Sequence, residues 1–508
     1  MAEIALIVLV FHLHVPGAPP EPNEPDYLGK ARHYWNPDWA GGDLFLESAD
    51  AHWVFYTLFG WVTLGVSFST AAWIGRLATW ICLAWAWRQL SITLLPGRGV
   101  AVLTATLYIA LNERFQLAGE WVVGGVEAKG FAYACVFAAL ASLVRGQWKR
   151  SLAWAGVASA LHPIIGLWCG ACLASSWFLV GRGRPSVVSL LPGIVAAGLI
   201  AAIGVLPVLA MDMGTDAATR ATAHTIYVFG RLRHHLLPEA FHSFFVLRHL
   251  MLFAAWVAIA CWTPRTDVWR RLRGFVWGAV FIAAAGLAID LLTRFDDELR
   301  AALLRFYWFR ATDAILPLGV AVGIVTIVRR LSADRPHLGR VLFGGLCVLA
   351  AIHLLEYDGG WRLRHRAPRA ERAINLDDWR DVCNWIKQNT PRDAIFITPR
   401  YNQTFKWHAG RAEVATWKDL PQDAVSIVEW DHRLRRLRLT REERLARSGR
   451  ETLAWLGAER LLKVGSEYHA SYVVTIVSDD LALPVVHGNG TYAVYELRPT
   501  DVKRESTE

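Results

Sequence analysis

Apolar runs separated by short charged loops occupy the chain from its first residues to about Leu355. From Glu356 onward the pattern turns to mixed charge, proline and short alternations. Long runs without charge read as membrane helices. They fall at 4–13, 72–95, 100–112, 129–144, 151–163, 165–180, 187–211, 249–263, 274–293, 313–328 and 340–355, which predicts about eleven spans. Basic loops at 96–99, 145–150, 181–185, 263–273 and 329–340 are expected on the cytoplasmic side, and the acidic or mixed segments at 14–51, 112–128, 212–248 and 294–312 on the other. Segment 51–69 is apolar but rich in Trp, Phe, Tyr and Gly. If it spanned, loop 14–51 and the basic loop 96–99 would share a side, so it is expected to lie in the interface as an aromatic-rich helix.

The predicted architecture is a polytopic α-helical membrane domain over 1–355, with a first exterior loop at 14–51 and an interfacial helix at 51–69. A soluble α/β domain follows over 356–508, periplasmic or extracellular, with the whole anchored in the cytoplasmic membrane. In the tail, apolar residues at helical spacing over 376–389 after an aspartate cap predict an amphipathic helix. Alternating or β-branched runs at 394–398, 472–477 and 491–497 predict strands. Hydrophobic residues make up 54% of the 508, which fits a membrane chain. The net charge of +9 is carried by clusters flanking apolar runs, so it reflects orientation in a membrane rather than nucleic-acid binding. Six of the seven cysteines lie in apolar segments, so no disulfide framework is implied. Cys169 and Cys172 have the C-x-x-C spacing but sit in an apolar run with no second ligand pair, where small residues serve helix packing.

Chemistry is expected where carboxylates meet the membrane face. Loop 14–51 carries Glu21, Glu24, Asp26, Asp38, Asp43, Glu47 and Asp50 interleaved with Tyr27, Tyr34, Trp35, Trp39 and Phe45. Rings stack on the apolar faces of sugars and acids accept their hydroxyl hydrogen bonds, so the mixture suits a sugar or lipid-headgroup pocket.

A first helix, an acidic exterior loop, an interfacial helix, further spans with basic turns and an exterior α/β domain together resemble the GT-C superfamily of lipid-dependent glycosyltransferases. The run Asn23-Glu24-Pro25-Asp26-Tyr27-Leu28, then Asn36-Pro37 and Asp43-x-Phe45, is similar to the corresponding loop there. Gly124-Gly-Val-Glu-Ala-Lys-Gly130, His162-Pro163 and Trp385-Ile-Lys-x-Asn-Thr-Pro391 resemble a bacterial family of uncharacterised integral membrane proteins. The GT-C resemblance implies a polyprenyl-phosphate-linked sugar as donor, a glycan, lipid or protein acceptor, and a site at the exterior face. It also implies a first-loop acid acting as base or metal ligand, here Glu24 and then Asp26, and admits a divalent metal ion as cofactor. Tyr27 and Asp43 would complete the loop's contribution.

A departing phosphate needs cations. Lys129, beside Glu127, lies at headgroup depth. Arg231, Arg233, His234 and His235, with Arg305 and Arg310, are basic on a side where the positive-inside rule asks for none, and an arginine fork fits phosphate oxygens. His162, ahead of Pro163 at a helix end, is a further candidate. Two other functions share these features: a transporter or flippase of a lipid-linked sugar, against which stand the lack of a clear repeat and the place of Asp290, the only acid well inside a predicted span, near its exterior end, and a non-catalytic membrane scaffold.

Overall fold

A computed structural model describes residues 1–498 apart from Arg182, 365–367, 448–450 and 479–480. Each of the apolar runs forms a helix. Among the described residues, six are long and apolar enough to cross a membrane: Pro163–Val180, Val187–Ala210, Ser243–Trp262, Asp267–Leu292, Arg310–Asp334 and the stretch Pro336–Glu356. Ala2–His14 and Ala128–Val144 are apolar but shorter.

The chain divides into two compact units. The first comprises 1–17, 51–55 and 73–366, and the second 18–50, 56–72 and 367–508. Within the first, helix Arg310–Asp334 is the axis: it packs on Val100–Arg114, Ser243–Trp262, Asp267–Leu292 and Pro336–Arg364, and 89% of its apolar window is buried. Helix Val187–Ala210 is the opposite case, 11% buried, and it rests on Trp148–Leu161 alone over most of its length. The two touch backbone to backbone, because a Cβ on Gly204 would lie 2.1 Å from the carbonyl oxygen of Ala160. Small residues let apolar helices approach without a polar driving force.

The second unit is built on a five-stranded sheet. Strands β1 (Ile395–Ile397), β2 (Ala412–Glu413), β3 (Ala470–Ile476), β4 (Val485–Gly488) and β5 (Tyr492–Glu496) lie in the order β2-β1-β3-β5-β4. The β2-β1-β3 half is parallel and β5 pairs antiparallel with both β3 and β4. Helix Leu376–Asn389 buries Trp379, Val382, Cys383 and Ile386 against this sheet, as its apolar spacing predicts. Its cap is Asn375, whose side chain accepts from the Asp377 and Asp378 N–H groups, and the two aspartates sit in the first turn instead.

Most of the chain read from sequence as a membrane-side loop and an interfacial helix belongs to this second unit. Residues 18–50 hold to the C-terminal sheet unit by main-chain and side-chain bonds: Ala370 N–H to Pro20 O at 3.1 Å, Gln403 Nε2 to Pro22 O at 3.0 Å and Ala49 N–H to Asp423 Oδ2 at 3.1 Å. The 51–69 segment is two short helices, Trp53–Phe59 and Val62–Gly65. Gly60 lies between them, and a Cβ there would meet the Ala31 carbonyl oxygen at 2.5 Å.

Candidate functional site

In the first unit, the loop between helices Val100–Arg114 and Ala128–Val144 is fixed from below by two buried polar side chains. The Asp313 carboxylate accepts the N–H groups of Leu117 at 2.6 Å, Ala118 at 2.9 Å and Glu120 at 3.1 Å. Asn112 Nδ2 donates to Glu120 O at 3.0 Å and Asp313 O at 2.8 Å, and Asn112 Oδ1 accepts from Val122 N–H at 3.3 Å. Gly119, at φ +74°, turns the chain in the left-handed region where a side chain would strain it. A Cβ there would also stand 3.0 Å from the His235 ring. That ring contacts Ala118 O through Nδ1 at 2.5 Å. Burial, with the Arg310 cation beside it, holds His235 well below the ordinary histidine range, so it is neutral and Nδ1 is the donor.

This scaffold places Glu120, only 1% exposed, between two cations. Its Oε2 lies 3.3 Å from Arg310 Nε and 3.8 Å from Lys129 Nζ. Lys129 Nζ is also 3.5 Å from Glu127 Oε2 and 3.7 Å from the centroid of the Trp121 ring. Glu127 occupies the cap position of helix Ala128–Val144 without capping it. The Arg310 guanidinium stacks over Tyr307 at 3.8 Å, and the Tyr307 hydroxyl meets that of Tyr227 at 2.7 Å. Charge-assisted bonds normally close to about 2.7–2.9 Å. The Glu120 contacts are longer, and neither its Oε2 nor Arg310 Nε completes a hydrogen bond among the described residues.

Glu120, Arg310, Tyr133, Tyr307 and His162 form the polar end of a cavity whose other end is apolar, with Ile165, Cys169, Cys172, Phe275 and Ile315. His162 stacks on His52 at 4.8 Å, and its Nδ1 also lacks a hydrogen-bond partner among the described residues. Buried polar atoms in a native fold are almost always satisfied, so three unsatisfied ones on one cavity mark a place for a polar ligand group. The cavity is narrow, about 30 Å³, room for a water or two. Admitting a larger group requires its lining side chains to move apart.

Of the residues singled out from sequence, Arg310 and His162 line the cavity, Lys129, with Glu127, lies beside Glu120 without lining the cavity, and His235 contacts the loop that carries Glu120, all in the first unit. Arg231, Arg233 and Arg305 are not lining residues. Arg305 contacts His224 Nε2 instead, a ring pushed down to about 4 by burial and by that arginine, and Arg233 is exposed. Glu24, Asp26, Tyr27 and Asp43 belong to the second unit. Glu24 is fully buried at the start of helix Glu24–Trp35, and its Oε2 accepts the Glu21 N–H at 2.7 Å. Asp26 and Tyr27 are half-buried on the same helix. Asp43 caps helix Leu44–Glu47 by accepting Leu46 N–H at 3.0 Å. Its other oxygen takes the Glu413 N–H at 3.1 Å and faces Lys406 Nζ at 3.1 Å, so both oxygens of this carboxylate are engaged in structural contacts. Asp290 is held by Arg300 Nε at 2.9 Å and Arg294 Nη2 at 3.2 Å, a closed ion-pair cluster rather than a lone intramembrane acid.

Sequence reasoning did not single out Glu120, Asp313 or Asn112. Glu120 lay inside a recognised acidic loop, flanked by Gly119 and Trp121, and that pairing of a turn residue with an aromatic was the available signal. The cluster does not fit a divalent cation. Glu120 and Glu127 each already face a cation, and no three His, Cys, Asp or Glu side chains converge as ligands among the described residues.

A family model described as a domain of unknown function (DUF6798) matches residues 377–437, which contain the amphipathic helix and strands β1 and β2. No curated protein matches the chain in sequence. Among solved structures, the chain is similar to the Archaeoglobus fulgidus oligosaccharyltransferase in its complex with Zn and sulfate, at 13% identity and a TM-score of 0.45, covering 93% of this chain and 67% of that one. It is also similar to the archaeal oligosaccharyltransferase AglB from the same organism, in complex with an inhibitory peptide and a dolichol-phosphate, at 13% identity and a TM-score of 0.47, covering 93% and 69%.

Proposed function

We propose that this protein is a GT-C-like membrane glycosyltransferase that moves a sugar from a polyprenyl-phosphate carrier to a glycan, lipid or protein acceptor at the exterior face of the cytoplasmic membrane. The observation that carries the reading is the amphipathic cavity, with unsatisfied Glu120, Arg310 and His162 atoms at one end and an apolar lining at the other. A lipid phosphate has that same division, a multiply charged head on an apolar chain. In the reaction the acceptor hydroxyl attacks the anomeric carbon and a carboxylate takes its proton. The bond from that carbon to the phosphate oxygen breaks with its electron pair on the phosphate, and the configuration inverts. Arg310 and Lys129 supply the positive charge that the leaving phosphate requires, and the apolar residues around Cys169 and Cys172 receive the first part of the prenyl chain.

The GT-C resemblance assigns the proton acceptor to the first-loop acids, and their surroundings within the second unit favour Asp26 over Glu24. Glu24 is fully buried and accepts the Glu21 main-chain N–H, which ties it to the turn. Asp26 keeps the partial exposure that a base acting on an incoming acceptor needs. The test is mass spectrometry of lipids that co-purify with the wild-type protein, Asp26→Asn and Glu24→Gln. A sugar-bearing polyprenyl phosphate should accumulate on Asp26→Asn, which binds donor but does not turn it over. Glu24→Gln should behave as wild type at a modest cost in stability. Only ordinary phospholipid on all three proteins would rule the reading out.

A further inference from the structure

Helix Trp148–Leu161 carries His162 at its C-terminal end, and its N-terminal end, about 20 Å away at 1.5 Å per residue, borders a second and separate opening. This is a cleft of about 560 Å³ lined by Gln147, Trp148, Lys149, Arg150, Pro185 and Leu190, among others. The proposed transfer reaction makes no use of it. Its volume lies in the range of small-ligand sites.

Two features give the cleft a chemical direction. First, it is cationic without compensation: Lys149 and Arg150 are exposed, and neither pairs with a carboxylate among the described residues. The one side-chain bond Arg150 makes is to the neutral Gln147 Oε1 at 3.2 Å. Elsewhere in this unit Arg88 pairs with Glu3 and Arg300 with Asp290, while Arg329 and Arg330 donate to the Pro96 and Trp262 carbonyls. Second, Trp148, Pro185 and Leu190 give it an apolar wall that continues into helix Val187–Ala210. That helix buries only 11% of its apolar window and leaves Val188 at 79% and Leu191 at 53% exposed. An apolar surface of that extent on a helix long enough to cross a membrane faces acyl chains.

We infer that this cleft binds the phosphate-bearing headgroup of an anionic membrane lipid, with Lys149 and Arg150 as the phosphate ligands and the Trp148, Pro185 and Leu190 wall covering the glycerol and upper acyl segment. Phosphate is the shared chemistry of two sources, lipid and free anion. The unpartnered apolar helix beside the cations favours the lipid.

The experiment uses the full chain purified in a neutral detergent and titrated with phosphatidylglycerol, phosphatidylcholine or inorganic phosphate. Binding is read by native mass spectrometry. Phosphatidylglycerol should bind the wild type about thirtyfold more tightly than the Lys149→Gln, Arg150→Gln double variant, the ratio that two cations near an anionic surface supply. Lys149→Arg with Arg150→Lys should retain the affinity. Both side chains are exposed, so melting should be unchanged. Arg335→Gln with Arg340→Gln, on another basic loop, should leave binding as in wild type. Equal phosphatidylglycerol affinity in wild type and double variant would overturn the inference, as would an equal loss in the Arg335, Arg340 control. Inorganic phosphate bound as tightly as the lipid would overturn the lipid assignment. None of these readouts depends on sugar transfer.

Discussion

In the proposed transfer reaction, Arg310→Gln is expected to reduce the rate by about 10²–10³-fold, the cost of removing one preorganised charge from a group that develops negative charge in the transition state. Arg310 is half-buried at the start of the helix that forms the axis of its unit, stacked on Tyr307 and 3.3 Å from Glu120. The effect should fall mainly on kcat, because Lys129, 3.8 Å from the same carboxylate, still offers charge to the bound ground state. Arg310→Lys keeps the charge but not the planar fork or the stacking, and should recover part of the rate. Arg310→Gln also leaves Glu120 facing one cation fewer, which lowers stability. The Arg310→Gln, Glu120→Gln double variant removes that strain and should melt closer to wild type while transfer stays low. A double variant that regained transfer along with stability would show Arg310 to be structural only. The measurement is initial-rate kinetics with a labelled lipid-linked donor, beside a melting curve for each variant.

The helices were legible and their ends were not. Uncharged runs identify the buried length of a helix, but hydropathy stops at the first cation. The run read as 313–328 is helix Arg310–Asp334, because Arg329 and Arg330 extend it by donating to Pro96 O at 2.6 Å and Trp262 O at 2.9 Å. In the tail, the helix at 376–389 was visible because its period is local, and β2 was not, because two residues carry no period. The site divides in the same way. Lys129, Glu127 and His162 were readable as charge or a ring at a helix end. That Glu120 faces Arg310, and that Asp313 holds the loop which positions it, depends on pairings between distant segments that no local pattern encodes. The acidic first loop shows the converse limit. Its carboxylates were conspicuous in sequence, yet Asp43 and Glu24 are bound by main-chain N–H groups, and their number alone could not separate structural acids from reactive ones.

Lys406→Met should destabilise the C-terminal unit by about 3–5 kcal/mol, the usual cost of removing one partner from a buried ion cluster. Lys406 Nζ lies 2.6 Å from Glu413 Oε1 and 3.1 Å from Asp43 Oδ2, and it also contacts Asp419. Without it, three carboxylates share a site closed to water, and they can remain there only by taking up protons. The wild-type cluster already leans that way. Burial pushes Glu413 up to about 7 and Asp419 upward as well, against the pull of Lys406, with the neighbouring carboxylates adding to the rise. A carboxyl whose folded pKa is raised binds its proton more tightly folded than unfolded. Its stabilisation is therefore complete below the unfolded value near 4.5 and is lost as pH climbs through about 7. Lys406, shifted upward, stays charged throughout that window and contributes no slope. Stability of the unit should thus decline from pH 5 to pH 8 in the wild type, and more steeply in Lys406→Met, where nothing opposes the rise. Hydrogen exchange of the β1 and β3 amides at the two pH values, corrected for intrinsic rates, reads this unit separately from the membrane helices. Protection that is the same at pH 5 and pH 8 in the variant would mean that the cluster is hydrated rather than closed, and that the lysine is not what holds the first-loop segment to the sheet.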